Sequence, residues 1–162
     1  MPVLDLLALP AALPPRTPVV GLDLGEKTIG VAVSDLTLSI ASPLALIRKR
    51  KFTEEAQELF ALMATRGAGG LVIGLPVNMD ATEGPRCQSN RAFARNLLRL
   101  RPDLPIAFWD ERLSTSAVER ILIGQADLTR ARRAEVVDRA AAAYILQGAL
   151  DRLRLEAARE RP

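Results

Sequence analysis

VVGLDLGEKTIGVAVSD (Val19–Asp35) consists of two apolar runs joined by a short polar turn. The first run, Val19–Gly25, ends in glycine, and the second, Ile29–Asp35, begins four residues later. Short apolar runs bounded by turn residues are typical of buried strands, and their close spacing predicts an antiparallel hairpin. The fold therefore begins with two paired strands, and a carboxylate, Asp23, lies near the end of the first.

The rest of the chain alternates between strand and helix patterns. A third strand is predicted over Leu38–Ile47, where Pro43 indicates a sheet edge or a bulge. The later elements are a helix capped by Thr53 and ended by Gly67, strand Gly70–Pro76, a helix over about 85–99, strand 105–111, a short helix over 114–124 and a long helix over about 132–155. This order predicts an α/β fold with a mixed five-stranded sheet and helices on both faces.

One domain accounts for most of the chain. We predict a single domain over residues 19–155, preceded by a Pro-rich, loosely ordered extension (1–18) and followed by a charged tail (156–162). No apolar run approaches the roughly 20 residues that a membrane span needs, so a membrane protein is not expected.

Composition limits the chemistry that this chain can perform. The 162 residues include no histidine and one cysteine, Cys87. This excludes Ser-His-Asp and Cys-His nucleophiles, His-ligated zinc, Cys-rich metal sites and internal disulfides. Any catalysis must use carboxylates, hydroxyls, Arg or Lys, and a reducing cytoplasm is the expected compartment.

The basic residues are mostly arginine, a good bidentate ligand for phosphate. Arg91, Arg95 and Arg99 stand four apart on a predicted helix, opposite a face of Phe93, Leu97 and Leu100. With RARR (Arg130–Arg133), these side chains could bind a nucleic-acid backbone; a solvated charged face is the alternative.

Four acids are expected to approach one edge of the sheet. Asp23 ends the first strand, Asp110 and Glu111 end the fifth, and Asp138 lies early in the last helix. Strands one, four and five are expected to be parallel, and their carboxyl ends then share one edge. Several carboxylates without histidine suit hard divalent cations, of which two can drive phosphodiester hydrolysis.

Each acid also has a simpler explanation. Asp23 could be a turn residue, Asp138 an exposed helical acid, and Arg112 could by itself neutralise Asp110 and Glu111. The sequence leaves open whether Arg112 or a metal ion compensates these charges.

Four segments in matching order resemble the signature blocks of the YqgF/RuvX family. They are GLDLGEKTIGVAVSD, VIGLPVNMDATEG, DERLSTSAVE and VDRAAAAYIL. The resemblance covers about residues 19–150 and implies a ribonuclease H-like fold, similar in architecture to RuvC resolvases. It also implies a metal-dependent endonuclease that uses Mg²⁺ or Mn²⁺, with two ions expected.

The resemblance also implies roles for particular residues. Asp23, Glu111 and Asp138 would be catalytic metal ligands, with Asp110 beside them as a fourth. Thr28, Asn78 and Arg112 would face the substrate, and on physical grounds Lys27 could contact a phosphate as well. This chain departs from the family pattern at Ala81, where glycine is frequent, and at Arg139, where a small residue is expected.

Two nucleic-acid substrates are associated with this family. The first expectation is processing of the 5′ end of pre-16S rRNA in ribosome biogenesis, which needs one active site. The alternative is resolution of four-way DNA (Holliday) junctions in recombination, whose paired cuts call for a homodimer.

Two functions without cleavage remain open. DLGEKTIG (Asp23–Gly30) also resembles a phosphate loop of actin-like ATPases, although one such domain supplies only half of a nucleotide site. A non-catalytic nucleic-acid binder would use the arginines alone, and its binding would survive neutralisation of Asp23.

Overall fold

The computed structural model describes residues 3–113 and 130–160, except for the side chains of residues 113, 130–139 and 160. The predicted short helix over 114–124 lies outside the described residues, as do the side chains of Arg130–Arg133, Asp138 and Arg139.

A five-stranded mixed sheet forms the centre of the fold. Its strands are β1 (Val19–Leu24), β2 (Thr28–Ser34), β3 (Ala41–Arg48), β4 (Gly70–Leu75) and β5 (Ile106–Asp110). The spatial order is β3-β2-β1-β4-β5, with β1, β4 and β5 parallel and β2 antiparallel to both neighbours. β3 is an edge strand, and the β2–β3 register shifts where Pro43 pairs with Ala32. The predicted hairpin and sheet are confirmed.

Helices cover both faces of the sheet, as predicted. They are α1 (Phe52–Arg66), α2 (Pro85–Leu100) and α3 (Arg130–Glu160). Leu59 of α1 and Leu97 of α2 pack into one apolar cluster, and Leu146 and Leu150 of α3 pack into a second. Within residues 3–113 and 130–160, no helix is long and apolar enough to cross a membrane.

Two helix boundaries and the exposure of one helical residue differ from the prediction. The cap of α1 is Lys51, not Thr53, because the helix begins early enough for Phe52 to pack against Phe93; its end at Gly67 (φ 66°) is as predicted. α3 continues to Glu160, so residues 156–160 extend the helix and do not form a separate tail. Leu100 is 50% exposed because it is the last residue of α2 and lies beyond the edge of the core.

The N-terminal segment is packed on the sheet, and the expectation that it is loosely ordered was wrong. The backbone N–H of Leu4 donates to the carbonyl of Ile106 at 2.8 Å, beside the free edge of β5. Leu9 is completely buried in the cluster that faces α3. The prolines shape two short 3-10 turns without preventing this burial.

Candidate active site

Two carboxylates, from Asp23 and Glu111, meet across β4. Asp23 is near the end of β1, and Glu111 begins a 3-10 helix (Glu111–Leu113) directly after β5. β4 lies between these strands, and a hydrogen bond joins the two carboxyl groups. The structure thus brings together two of the predicted acids at the carboxyl edge of the parallel strands.

Gly74 makes this meeting possible. A Cβ atom added at Gly74 would lie 2.5 Å from Oε1 of Glu111 and 2.7 Å from Cδ1 of Ile145 on α3. The Glu111 side chain therefore passes directly over the backbone of β4, and any larger residue there would displace it. Sequence reasoning missed this residue, although a glycine inside a strand can signal a close approach of this kind.

Electrostatics at this pair favour a proton or a cation. Burial raises the pKa of Glu111 to about 7, and the charge of Asp23 and the hydrogen bond with it act in the same direction. Arg86 opposes this shift but does not cancel it. A pair of carboxyls with one pKa near neutrality holds a proton that a divalent cation can replace.

Arg112 neutralises Asp110, the neighbour of Glu111. Its Nε and Nη2 donate to Oδ2 of Asp110 at 2.9 and 2.6 Å, and this pairing lowers the pKa of Asp110. The sequence left open whether Arg112 or a metal ion neutralises Asp110 and Glu111. In the structure Arg112 neutralises Asp110 alone, whereas Glu111 faces Asp23. A metal-ligand role for Asp110 stays a prediction.

The loop after β4 is organised by its own polar side chains. The amide of Asn78 donates to Thr82 Oγ1 at 3.0 Å, and Asp80 accepts from both the hydroxyl and the backbone of Thr82. Ala81 has φ 72°, the left-handed conformation that glycine adopts readily. Arg112 Nη1 reaches the Asn78 carbonyl at 3.5 Å, which connects this loop to Asp110.

The other predicted substrate residues occupy different environments. Lys27 and Thr28 lie at the β1–β2 turn, beside Asp23, where Thr28 accepts the N–H of Gly25. Arg91 is held by two hydrogen bonds to Glu83 and lies 5.0 Å from the Phe108 ring, so it anchors the loop before α2. Arg95 and Arg99, the other two arginines spaced four apart on α2, are exposed.

Sequence reasoning missed two further sources of positive charge. RKRK (Arg48–Lys51) begins at the last residue of β3 and ends just before α1, and the N–H of Lys49 donates to the carbonyl of Lys27. The second source is Arg86, on the first turn of α2, whose charge reaches Glu111. Four consecutive basic residues were a visible signal, whereas the position of Arg86 depends on tertiary structure.

Asp138 can be placed only by its backbone, on α3. That helix approaches β1 closely, since a Cβ added at Gly21 would lie 2.7 Å from Cβ of Leu146 and 3.3 Å from the Ala142 carbonyl. This is the close approach that the alanine-rich segment predicts. Asp138 lies one turn before Ala142, and its role as a ligand stays a prediction.

The donors in the described part of the chain suit a hard divalent cation. Among described side chains, no cluster of three or more acidic, His or Cys residues forms a metal site. Asp23 and Glu111 nevertheless supply adjacent, partly desolvated oxygen donors whose mutual repulsion a cation would relieve. The donor chemistry therefore fits Mg²⁺ or Mn²⁺.

A family model and many named proteins match this chain. The model is that of RuvX, described as a Holliday junction resolvase, and it matches residues 17–152. A protein of Phenylobacterium zucineum is 75% identical over 95% of this chain and 99% of its own length. One from Caulobacter sp. strain K31 is 68% identical, covering 95% and 94%. Both carry the name "Putative pre-16S rRNA nuclease".

Solved structures show more distant similarity. Thermus thermophilus RuvC in complex with a Holliday junction substrate is 14% identical, with a TM-score of 0.49 over 85% of this chain and 96% of that one. The yeast mitochondrial Holliday junction resolvase Ydc2 is 12% identical, with a TM-score of 0.46 over 94% and 89%.

Proposed function

This chain belongs to the RuvX family, and from that membership and its paired acids we propose that it is a hydrolase, a metal-dependent endonuclease that cleaves phosphodiester bonds. The Asp23–Glu111 pair is the observation that carries this proposal. Two carboxyls that meet over Gly74, one with a pKa of about 7, cost folding free energy unless a bound ligand compensates their charge.

The ligand that suits this arrangement is Mg²⁺ or Mn²⁺, in a site for two ions. Asp23, Glu111 and Asp138 would hold the ions, with Asp110 beside them. When bound, such ions activate water and stabilise the charge that develops on the phosphate. No histidine is present to serve as a general base, which is consistent with activation of the water by the ions.

The chain's own cations would position the substrate. Arg86 is exposed and its charge reaches Glu111, so it can bind the phosphate that approaches the acids. Lys27 and Thr28 lie on the turn after β1 and can contact a neighbouring phosphate. Arg112 fixes Asp110 and the carbonyl of Asn78, and this connects the loop after β4 to the site.

We propose the 5′ end of pre-16S rRNA as the substrate, with the cytoplasm as the place of action. The name of the relatives at 68–75% identity supports this assignment. The nuclease would then act in ribosome biogenesis, with structured RNA as its partner.

A four-way DNA junction is the second candidate, favoured by the description of the family model. Junction resolution needs two symmetric cuts and hence two copies of this site in a homodimer. The rRNA reaction needs only one copy, so the two candidates differ in the assembly that they require.

A side-by-side cleavage assay with Mn²⁺ distinguishes these candidates. The substrates are an RNA that carries the 5′ leader of 16S rRNA and a synthetic four-way DNA junction, and Asp23→Asn is the control. Cleavage of the RNA alone supports the rRNA assignment, and paired symmetric nicks in the junction support resolution. If neither substrate is cut and Asp23→Asn binds both as well as the wild type, the nuclease proposal is wrong.

A further inference from the structure

An open pocket of about 460 Å³ lies on the side of the sheet that carries α1 and α2, at the carboxyl edge of β1. It lies between the turn after β1, the loop from β3 to α1, and one side of α2. Its volume lies within the range of sites that bind small organic molecules, and one nucleotide is of that size.

Aromatic and polar groups line this pocket together. Phe52 and Phe93 contribute rings that meet edge to face, with centroids 5.4 Å apart. Ser89 and Asn96 of α2 add a hydroxyl and an amide. Phe93 is only 7% exposed, so the half-buried ring of Phe52 is the more accessible surface on which a nucleic-acid base can pack beside these polar groups.

Three cations, Lys49, Arg50 and Arg86, line the same pocket. Nζ of Lys49 lies 5.8 Å from the centroid of the Phe93 ring and 3.9 Å from the buried carboxylate of Glu55. Glu55 also accepts the backbone N–H of Arg50 at 2.8 Å, which fixes the loop that carries Lys49. Arg50 is paired with Glu54 and Glu58, and Arg86 is the lining cation on α2.

The acids lie on the α3 face of the sheet, and they share the carboxyl edge of β1 with the pocket. Leu24 and Gly25, which line it, directly follow Asp23. Asn90 of α2 is buried and donates to the carbonyl of Gly74 at 2.8 Å, so this wall is fixed to the strand beneath Glu111. Arg86 lines the pocket and its charge also reaches Glu111, so a substrate strand that crosses this edge would place a nucleotide in the pocket next to the phosphate at the acids.

We propose that this pocket binds one unstacked nucleotide of the substrate strand, adjacent to the phosphodiester that is cleaved. Its base packs against Phe52 and Phe93, and its phosphate lies between Lys49 and Arg86. This inference rests on the proposed nuclease function, and it adds a recognition site next to the site of cleavage. Cleavage is then directed to a position where the strand can leave a base unstacked.

Blocking the pocket tests this inference. Ser89 is exposed on α2 and lines the pocket, whereas its neighbour Gln88 is exposed and does not line it. Ser89→Trp and the matched control Gln88→Trp are made in the full-length Asp23→Asn protein, which keeps the RNA intact. The probe is a fluorescein-labelled RNA of about 12 nucleotides that spans the mature 5′ end of 16S rRNA.

We expect Ser89→Trp to raise the Kd for this RNA about tenfold and Gln88→Trp to change it by less than about twofold. One abasic substitution next to the cleaved bond should weaken binding to the Asp23→Asn parent and have no further effect in Ser89→Trp. The inference is overturned if both tryptophan variants bind alike, if abasic positions act equally in all proteins, or if the parent does not bind RNA.

A second pair of matched variants tests the contact between Lys49 and the phosphate. Lys49→Ala removes a cation that lines the pocket, and Lys51→Ala removes one two residues away that does not. Lys49→Ala should reduce the magnitude of the slope of log K against log salt by about 0.7, and Lys51→Ala should leave it unchanged. Equal slopes in these two variants contradict the phosphate contact.

Wild-type cleavage in Mn²⁺ keeps the two proposals apart. An inactive wild type whose Asp23→Asn variant shows the pocket-dependent binding contradicts the nuclease function alone. An active wild type without pocket-dependent binding contradicts the pocket alone.

Discussion

Gly74→Ala is the substitution that should separate catalysis from folding most clearly. Ordinary van der Waals contact begins at 3.4 Å, and the added methyl would lie 2.5 Å from Oε1 of Glu111. The carboxylate must therefore shift by about 0.9 Å, and a displacement of about 1 Å can cost roughly 100-fold in rate. Contact with Ile145 at 2.7 Å adds an overpacking cost of about 1–3 kcal/mol in the free energy of unfolding.

Gly70→Ala is the matched control, on the same strand. There the nearest atom to an added Cβ is the flexible end of Leu13 at 3.1 Å, so only a small adjustment is needed. Cleavage rates at saturating Mn²⁺ and urea unfolding curves are measured for both variants. Gly74→Ala should be folded and at least about 100-fold slower, and Gly70→Ala should remain active. Full activity in Gly74→Ala, or equal loss in both, would refute the role assigned to Gly74.

Three further substitutions test other parts of the structure. In the metal-free protein the folded state keeps the Glu111 proton up to about pH 7, whereas the unfolded chain loses it near pH 4.5. The free energy of unfolding should therefore fall by up to about 3 kcal/mol between pH 4.5 and pH 7 and then level off. Urea unfolding across this range should show that fall in the wild type and not in Glu111→Gln; parallel curves would contradict the raised pKa. Ala81→Gly relieves the left-handed conformation and should raise the free energy of unfolding by about 1 kcal/mol, measured the same way; a loss would show that Ala81 is unstrained. Leu9→Ala should lower the melting temperature, at a cost of about 2–5 kcal/mol, because Leu9 is fully buried; an unchanged melting temperature would restore a loosely ordered N-terminal segment.

Local patterns were sufficient to predict the sheet. Apolar runs bounded by glycine gave the strands, and the edge position of β3 followed from Pro43, because a proline cannot donate a ladder hydrogen bond. The N-terminal segment was mispredicted because its prolines suggested disorder, while the burial of Leu9 depends on contacts with residues distant in sequence. The early start of α1 likewise depends on the tertiary contact of Phe52 with Phe93.

The candidate site was only partly predictable for a related reason. Strand ends placed Asp23 and Glu111 at one edge, but side-chain directions came from the structure. The pairing of Arg112 with Asp110, and of Arg91 with Glu83, uses charges that the sequence also allowed to contact substrate. The approach of Arg86 to Glu111 spans 25 positions in sequence and carries no local pattern.

The Asp23–Glu111 pair should exchange a proton for a divalent cation. Calorimetric titration with Mn²⁺ at pH 7, in two buffers of different ionisation enthalpy, measures both binding and proton release. With a pKa of about 7 at Glu111, the wild type should bind Mn²⁺ and release about half a proton, and the release should fall towards zero at higher pH. Asp23→Asn should bind weakly, and Glu111→Gln should release no proton. Mn²⁺ binding of equal strength and equal proton release in all three proteins would contradict the account.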